Sequence, residues 1–318
     1  MDEEHNLYKD NGFFGLSPNV GPLKQRFIMP PYSMWNTSDG DWQKRRRLWL
    51  AKGIKSEEGR NRKLIFTVPH TLKDGGKGHR VKNRSSVFDP VLCELAYGWW
   101  CPPGGKVLDP FAGGSVRGIV ASVLGYRYFG IELRGEQVEA NQAQLNECTT
   151  GKYPPRWRQG DAVTATHKAP KVDFVFSCPP YGNLEVYSDD ERDLSNMTHD
   201  EFLVGYNTVI TNAVERLKEN RFACFVVANY RSRDKDGKQM HNFVGQTIQA
   251  FEDAGASYYN DIVLLNIVGT GAMRANKIFC LGARKVVKLH QNVLVFVKGD
   301  PVKAAKLIPA DSGVSTGE

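Results

Sequence analysis

Two short segments contain residues whose types and spacing could bind a ligand and act on it. The first, Asp109-Pro110-Phe111-Ala112-Gly113-Gly114, follows an apolar strand predicted over residues 106–108 and precedes a helix predicted over 115–124. Glycines between a strand and a helix N-terminus let the backbone approach a nucleotide closely. The second, Cys178-Pro179-Pro180-Tyr181, ends an apolar strand predicted over 173–177, and its two prolines fix the backbone in advance. Both segments are therefore candidates for the functional site.

Two acidic residues extend the first segment into a predicted nucleotide site. Glu132 ends the next predicted strand, about 20 positions after the glycine turn, where an acidic side chain hydrogen-bonds a ribose hydroxyl in doubly wound folds. Asp161 stands where a third strand should end, and its carboxylate could accept a hydrogen bond from an adenine amino group. Two adjacent glycines after a strand are more often a simple turn, so the ordered set of three signals carries the prediction.

The elements that position these residues alternate between strand and helix from residue 85 onward. Such alternation predicts a parallel sheet covered by helices. Two late apolar strands, 262–267 and 292–297, have no convincing helix between them and are predicted to pair as an antiparallel hairpin at the sheet edge. The predicted fold class is therefore α/β, a doubly wound, mostly parallel sheet with a late antiparallel β-hairpin.

Composition narrows the class of protein. The chain has 318 residues, of which 41% are hydrophobic and 24% charged, as in globular proteins long enough to bury a full core. No apolar run approaches the ~20 residues that span a bilayer, and the acidic N-terminus lacks the apolar stretch of a signal peptide. The six cysteines are scattered without metal-ligand spacing, which favours a reducing compartment and predicts no metal site. We expect a cytoplasmic protein without a membrane partner, either a monomer or a homodimer.

Both segments resemble motifs of DNA amino-methyltransferases. The first is similar to their S-adenosylmethionine (SAM) motif, Asp-Pro-Phe-x-Gly-x-Gly, with Ser115 in place of the last glycine. The second resembles their (Asp/Asn/Ser)-Pro-Pro-(Tyr/Phe) motif, and further similarity to phage and prophage methylases extends over most of residues 26–299. The resemblance implies a class I, Rossmann-like methyltransferase that acts on duplex DNA with a flipped base, favouring adenine N6 over cytosine N4. It also implies a role in protection from restriction.

The same resemblance implies the residues of the site. Phe88 and Asp89 stand where the family seats the methionine end of SAM. The implied cofactor-binding residues are Phe88, Asp89, Asp109, Pro110, Phe111, Ala112, Gly113, Gly114, Glu132 and Asp161. The implied catalytic residues are Cys178, Pro179, Pro180 and Tyr181: hydrogen-bond acceptors orient the base amine, and the tyrosine ring stacks on the extruded base.

Cys178 departs from the family motif, because a thiol is a weak acceptor where the motif has a carboxylate, amide or hydroxyl. One explanation is that a proline carbonyl, with Ser177 or Asn183, orients the amine while Cys178 only fills space. A second is that Cys178 attacks a pyrimidine ring as a nucleophile, so that carbon is methylated. A third is that the enzyme uses an unusual acceptor or is catalytically impaired. The sequence leaves the three explanations open and favours the first.

Basic residues are concentrated in two regions. Residues 1–84 carry 17 Lys and Arg against 9 Asp and Glu, whereas the remainder is nearly neutral, and residues 269–290 contain no acidic residue. Such surfaces are typical of contact with nucleic acid. In a helix predicted over 41–51, Trp42 and Trp49 could stack on nucleic acid, but we favour packing inward while the arginines beside them face DNA. The predicted nucleic-acid-binding residues are Lys44, Arg45, Arg46, Arg274, Lys277, Arg284, Lys285 and Lys288.

These patterns divide the chain into three predicted regions. Residues 1–84 form a basic, DNA-contacting extension that includes a Gly/Lys/Arg-rich linker at 73–84. Residues 85–300 form the methyltransferase domain, with the basic loop 269–290 as the candidate for target recognition, and residues 301–318 form a flexible tail. Two alternatives to DNA methylation stay open, an RNA amino-methyltransferase and a SAM- or nucleic-acid-binding regulator that has lost transfer activity.

Overall fold

A computed structural model describes residues 22–55, 88–148, 151–231, 240–266, 275–276, 278–280 and 284–309. Its helices are α1 (Pro22–Phe27), α2 (Gly40–Leu50), α3 (Pro90–Trp100), α4 (Val116–Val123), α5 (Gly135–Ala143), α6 (Ala162–Ala165), α7 (His199–Arg216), α8 (Phe243–Asp253) and α9 (Pro301–Ala305). Its strands are β1 (Met34–Asn36), β2 (Lys106–Asp109), β3 (Arg127–Glu132), β4 (Arg156–Gln159), β5 (Val172–Ser177), β6 (Leu217–Val227), β7 (Ser257–Leu265) and β8 (His290–Lys298).

The strands form one sheet in the order β1-β7-β8-β6-β5-β2-β3-β4. Every neighbouring pair is parallel except the two pairs that involve β8. Strands β4, β3, β2, β5 and β6 therefore follow the 3-2-1-4-5 order of doubly wound nucleotide-binding sheets. The predicted doubly wound, mostly parallel sheet with a late antiparallel hairpin of β7 and β8 is confirmed.

The sequence predicted the hairpin at the sheet edge, but β1 lies outside it in the sheet. Strand β8 is interior, and β1 pairs in parallel with the carboxyl half of β7, from Met34 opposite Val263 to Asn36 opposite Leu265. The prediction missed β1 because three residues are too short to produce a readable alternation of apolar and polar side chains.

Hydrophobic residues pack on both faces of the sheet. One cluster joins the sheet to α2, α3 and α4, and the other joins it to α7 and α8. This covering explains the continuous apolar runs in β5 and in the second half of β6, which are buried on both faces. Across the described ranges, no helix combines the length and the apolar character that crossing a membrane requires.

The described part of residues 1–84 belongs to the same core as the rest of the chain. Trp42 and Trp49 of α2 are fully buried, which confirms that they pack inward. Glu94 of α3 is buried beneath them and accepts a hydrogen bond from Trp49 Nε1 at 2.8 Å. The predicted boundary at residue 85 therefore does not separate two folding units among the described residues, because α2 and β1 complete the core and the sheet.

The predicted flexible tail begins with a short helix. In α9, Asp300 caps the N-terminus by accepting from the backbone N–H groups of Val302 and Lys303, and Pro301 occupies the first turn. Ala304 of this helix is buried. The tail prediction is thus corrected for residues 301–305, whereas residues 310–318 lie outside the described residues.

Candidate cofactor and catalytic site

The carboxylate of Asp109 lies beneath the loop formed by residues 109–114, which we call the cofactor loop. Its Oδ2 accepts hydrogen bonds from Arg117 Nε at 2.5 Å and from the Tyr128 hydroxyl at 2.6 Å. Its Oδ1 accepts from Ser177 Oγ at 2.6 Å and from the backbone N–H of Phe111 at 3.2 Å. These four bonds occupy the acceptor positions of a fully buried carboxylate. The prediction that Asp109 contacts a ligand is therefore corrected: its side chain supports the loop from below.

Arg117, in the first turn of α4, is a buried residue that sequence reasoning missed. Its Nη2 donates to the carbonyl oxygens of Phe111 at 2.7 Å and Ala112 at 2.9 Å, and its guanidinium lies 4.5 Å from the ring centroid of Phe88. Burial lowers the pKa of Arg117, but the Asp109 carboxylate raises it above its ordinary value, so the guanidinium stays charged. The available signal was a single charged residue in an otherwise apolar helix.

The backbone of the cofactor loop is held by β3. Ala112 donates its N–H to the carbonyl oxygen of Ile131 at 2.9 Å, and Gly113 donates to Glu132 Oε2 at 2.9 Å. Glu132 Oε1 accepts from the backbone N–H of Arg134 at 3.0 Å, and burial raises the pKa of this carboxyl despite both bonds. A carboxylate has about four acceptor positions, so Glu132 retains capacity for the hydroxyls of a ligand.

The space above the cofactor loop is open at Gly113. This residue has φ of 53°, and a Cβ placed on it would meet no atom within 4 Å. Pro110 and Ala112 are buried beneath, whereas Phe111, Gly113 and Gly114 are partly exposed. The loop therefore offers backbone, rather than side chains, to whatever lies above it.

Asp161 lies next to Glu132 at the carboxyl edge of the sheet, because the backbone N–H of Gly160 donates to the carbonyl oxygen of Glu132 at 2.9 Å. Its Oδ1 caps α6 by accepting from the backbone N–H of Val163 at 2.9 Å. The Asp161 side chain is half-buried. The structure thus places Asp161 and Glu132 at neighbouring strand ends, and their role in binding a cofactor stays a prediction.

Asp89 has a structural role. Its Oδ1 caps α3 by accepting from the backbone N–H of Val91 at 2.9 Å, and its Oδ2 accepts from Trp42 Nε1 at 3.0 Å. Burial raises the pKa of Asp89, and these bonds oppose that rise. Both oxygens are engaged by the protein, and the Phe88 ring packs edge-on against Phe176 at 5.7 Å. This pair therefore fixes the start of α3 beside the cofactor loop.

Residues 178–181, which we call the proline motif, begin directly beside the cofactor loop. Ser177, the last residue of β5, is fully buried and donates its hydroxyl to Asp109, while its Oγ accepts from the backbone N–H of Phe111 at 3.3 Å. Strands β2 and β5 are parallel neighbours, so their carboxyl ends meet. The two segments that the sequence singled out are therefore joined through the bond between Ser177 and Asp109, 68 residues apart.

The surroundings of Cys178 favour its thiol form over the thiolate. Burial raises its pKa, and the nearby Arg117 only partly opposes that rise. Its Sγ lies 3.8 Å from the hydroxyl of Tyr181. Since the thiolate is the nucleophilic form of cysteine, the environment argues against Cys178 as a nucleophile and favours its role as a small residue that fills space.

The ring of Tyr181 is held within a group of aromatic side chains. It stacks on Tyr230, with ring centroids 6.5 Å apart and planes at 16°, and its edge meets Phe243 at 5.9 Å. Tyr230 is buried, and its hydroxyl lies 3.1 Å from Nδ1 of His199. Sequence reasoning missed Tyr230 and His199, because no local pattern brings residues so far apart in the chain together.

The prediction that the arginines of α2 face nucleic acid is corrected for Arg45. Its Nε and Nη2 donate to the two carboxylate oxygens of Glu94 at 2.6 and 2.5 Å. A buried carboxylate needs a charged partner, and Arg45 supplies it. Arg46 Nε lies 3.6 Å from Oδ2 of Asp89, whereas the side chain of Lys44 is exposed. Lys44 is thus the member of this trio that remains at the surface.

The basic segment that joins β7 to β8 starts and ends at the carboxyl edge of the sheet, where the proline motif lies. Arg284 and Lys288 are exposed and Lys285 is half-buried. Arg274, Lys277 and the linker 73–84 lie outside the described residues. The role of these basic side chains in binding nucleic acid stays a prediction.

The amino-acid sequence matches no family model and no curated protein. Solved structures similar to this chain include TrmN from Thermus thermophilus, which is 15% identical in sequence with a TM-score of 0.42. The match covers 66% of this chain and 49% of TrmN. For the next two structures, coverage is given first for this chain and then for the other chain. A TehB-like SAM-dependent methyltransferase from Corynebacterium glutamicum has 16% identity, coverage of 67% and 89%, and a TM-score of 0.40. Magnesium protoporphyrin IX methyltransferase from Synechocystis, with bound SAM, has 12% identity, coverage of 66% and 76%, and a TM-score of 0.41. The match spans about half the length of TrmN.

The fold follows from the strand order of this chain itself. A doubly wound parallel sheet with one antiparallel strand, β8, inserted between β6 and β7 is the arrangement of class I, Rossmann-like SAM-dependent methyltransferases. In such sheets ligands bind outside the carboxyl ends of the strands, near the point where the strand order reverses. Here that point lies between β2 and β5, where the cofactor loop and the proline motif meet.

Proposed function

We propose that this protein is a SAM-dependent methyltransferase that modifies an exocyclic base amine in DNA, with adenine N6 as the favoured acceptor. The hydrogen bond of 2.6 Å from Ser177 to Asp109 carries the proposal. It joins the residue that precedes the proline motif to the first residue of the cofactor loop. A cofactor above the loop and a base beside Tyr181 are thereby brought to one edge of the sheet. The resemblance to phage and prophage methylases supports a cytoplasmic enzyme that protects DNA from restriction.

Three features of the chain fit SAM. Glu132 has acceptor capacity for a ribose diol, Asp161 lies beside it for an adenine amino group, and the open space at Gly113 admits the ligand against the backbone. Bound SAM supplies an electrophilic methyl group on its sulfonium. The chain's task is to hold that group at the carboxyl edge of β2 and β5 and to exclude water from it.

The proline motif prepares the acceptor nitrogen. A base amine is a poor nucleophile, because its lone pair is delocalised into the ring. A proline carbonyl of the motif accepts a hydrogen bond from the amine and favours a pyramidal nitrogen with its lone pair directed at the methyl group. Tyr181 stacks on the extruded base, and the exposed Lys44, Arg284 and Lys288 meet phosphates.

The test is methyl transfer from radiolabelled SAM to duplex DNA and, separately, to RNA, followed by digestion to nucleosides. Label in N6-methyldeoxyadenosine from DNA is the expected result. Label that appears only in RNA nucleosides would assign the enzyme to RNA. Absence of label from both pools, with SAM binding intact by calorimetry, would identify a regulator that binds the cofactor without transferring its methyl group.

Substitution of Glu132 by glutamine should weaken SAM binding about 10–100-fold, since hydrogen bonds to a charged group contribute roughly 1.5–3 kcal/mol. The amide also loses one of the acceptors that hold Gly113 and Arg134. Isothermal titration calorimetry with SAM measures the change. Glu139→Gln, at an exposed position of α5, is the matched control and should bind as the wild type does. Equal affinity of the Glu132→Gln and control variants would mean that the Glu132 carboxylate does not bind the cofactor.

Substitution of Cys178 by serine should reduce the transfer rate less than about tenfold, because a hydroxyl fills nearly the same space and adds an acceptor. The raised pKa of Cys178 predicts that no thiolate chemistry is lost. Single-turnover transfer is the measurement, with Cys148→Ser as the control, because the Cys148 side chain donates to the carbonyl oxygen of Gly53 and belongs to neither segment of the site. Loss of all activity in Cys178→Ser, together with a covalent adduct between wild-type protein and substrate, would establish the nucleophile instead.

A further inference from the structure

The hydroxyl of Tyr181 is engaged at the junction of three strands. Gln291 of β8 donates from Nε2 to this hydroxyl at 2.7 Å. The hydroxyl in turn donates to the carbonyl oxygen of Val226 in β6 at 3.4 Å, and Cys178 after β5 lies 3.8 Å away. The 3.4 Å bond is longer than the ~2.5–3.0 Å usual for an O–H···O bond, so the short bond from Gln291 is the strongest of these contacts.

The bond from Gln291 complements the aromatic packing of Tyr181. Tyr230 and Phe243 define the plane in which the ring lies, whereas a bond at the hydroxyl fixes where the far end of the ring points. Both constraints are needed to aim a tyrosine ring at a base, because packing alone allows the ring to slide within its plane. The bond at the hydroxyl depends on the folded sheet, because Gln291 is 110 residues from Tyr181 in the sequence.

Gln291 is also the second residue of β8, directly after the basic segment. Its neighbour His290 pairs with Leu265, and the backbone N–H of Asn266 donates to the carbonyl oxygen of Leu289 at 2.8 Å. These bonds close the base of the segment that carries Arg284 and Lys288. The side chain that anchors Tyr181 therefore stands where the basic segment enters the sheet.

We propose that Gln291 is a positioning residue for methyl transfer, which fixes the Tyr181 ring through its hydroxyl from the base of the basic segment. The inference rests on the proposed function. It assigns a role to a residue that touches neither base nor cofactor, and it makes the hydroxyl, rather than only the ring, of Tyr181 part of the machinery.

A double-mutant cycle of Gln291→Leu and Tyr181→Phe tests the proposal. Each single variant removes the same partly buried hydrogen bond and should slow single-turnover transfer about tenfold. The double variant should be no slower than the slower single variant, because the bond can be lost only once. The dissociation constant for SAM should change less than twofold. Wild-type rates in Gln291→Leu, or effects that multiply to about a hundredfold in the double variant, would overturn the proposal.

The control variant is Asn292→Leu on the same strand, whose amide donates to Asp261 at 3.1 Å instead of to Tyr181. It should have nearly wild-type transfer. A readout that needs no activity is the fluorine NMR spectrum of protein labelled with 3-fluorotyrosine, in which Tyr181→Phe assigns the Tyr181 resonance. Gln291→Leu should shift and broaden that resonance, and Asn292→Leu should leave it unmoved. If the resonance moves but wild-type protein methylates neither DNA nor RNA, the contact stands while the proposed function, and this role with it, is overturned.

Discussion

Replacing Arg117 with methionine is expected to lower the free energy of unfolding by about 3–5 kcal/mol, the cost typical of breaking a buried ion pair by removing one partner. Methionine retains much of the volume but leaves the fully buried carboxylate of Asp109 without its cation. The carbonyl oxygens of Phe111 and Ala112 lose their donor in the same step. Since small proteins are stable by roughly 5–15 kcal/mol, this one substitution would remove a large part of the total. Urea unfolding followed by circular dichroism measures it.

Two comparisons separate the ion pair from a general effect of losing an arginine. Arg127→Met removes an exposed arginine that lies over Tyr153, and should cost less than about 1 kcal/mol. Asp109→Asn combined with Arg117→Met removes the unpaired charge while the amide can still meet Tyr128 and Ser177. The double variant should therefore be more stable than Arg117→Met alone. A double variant that is less stable than the single one would show that Asp109 is not the origin of the loss.

The fold could be predicted from the sequence because its signals are local. Apolar runs such as 173–177 and the alternation of strands with helices follow from side chains that are near one another in the chain. The order of the strands then follows from the few topologies that such alternation allows. Strand β1 was missed because its three residues acquire their structure from β7, more than 200 positions later.

The candidate site could be predicted as backbone but not as a set of side-chain partners. The glycine loop, Glu132 and Asp161 lie together as their positions at strand ends implied. The partner of a charged side chain can lie far away in the sequence. The sequence therefore did not reveal that Arg45 pairs with Glu94, or that Arg117 pairs with Asp109 and occupies a carboxylate oxygen that a ligand would otherwise bind. The sequence assigned Arg45 to DNA contact from its charge alone. Whether an arginine contacts DNA or a buried carboxylate depends on its burial, which the sequence does not show.

Substitution of Gly182 by alanine should lower the free energy of unfolding by about 2–4 kcal/mol and slow methyl transfer more than tenfold. Gly182 follows Tyr181 directly and has φ of 50°, a conformation that costs an L residue about 1–2 kcal/mol. A Cβ there would also overlap the hydroxyl oxygen of Tyr230. Because Tyr230 is buried and stacks on Tyr181, moving it displaces the ring that we propose to hold the base.

Two variants divide this effect into its parts. Gly104→Ala is the control for backbone strain, since Gly104 has φ of 68° but a Cβ there would meet nothing within 4 Å; it should cost only about 1–2 kcal/mol and leave transfer unaffected. Tyr230→Phe removes the oxygen in closest contact, so Gly182→Ala should cost less in that background than in the wild type. Equal costs for the Gly182 and Gly104 variants would mean that the contact with Tyr230 is relieved by a small shift, and Tyr230 would then not constrain the position of Tyr181.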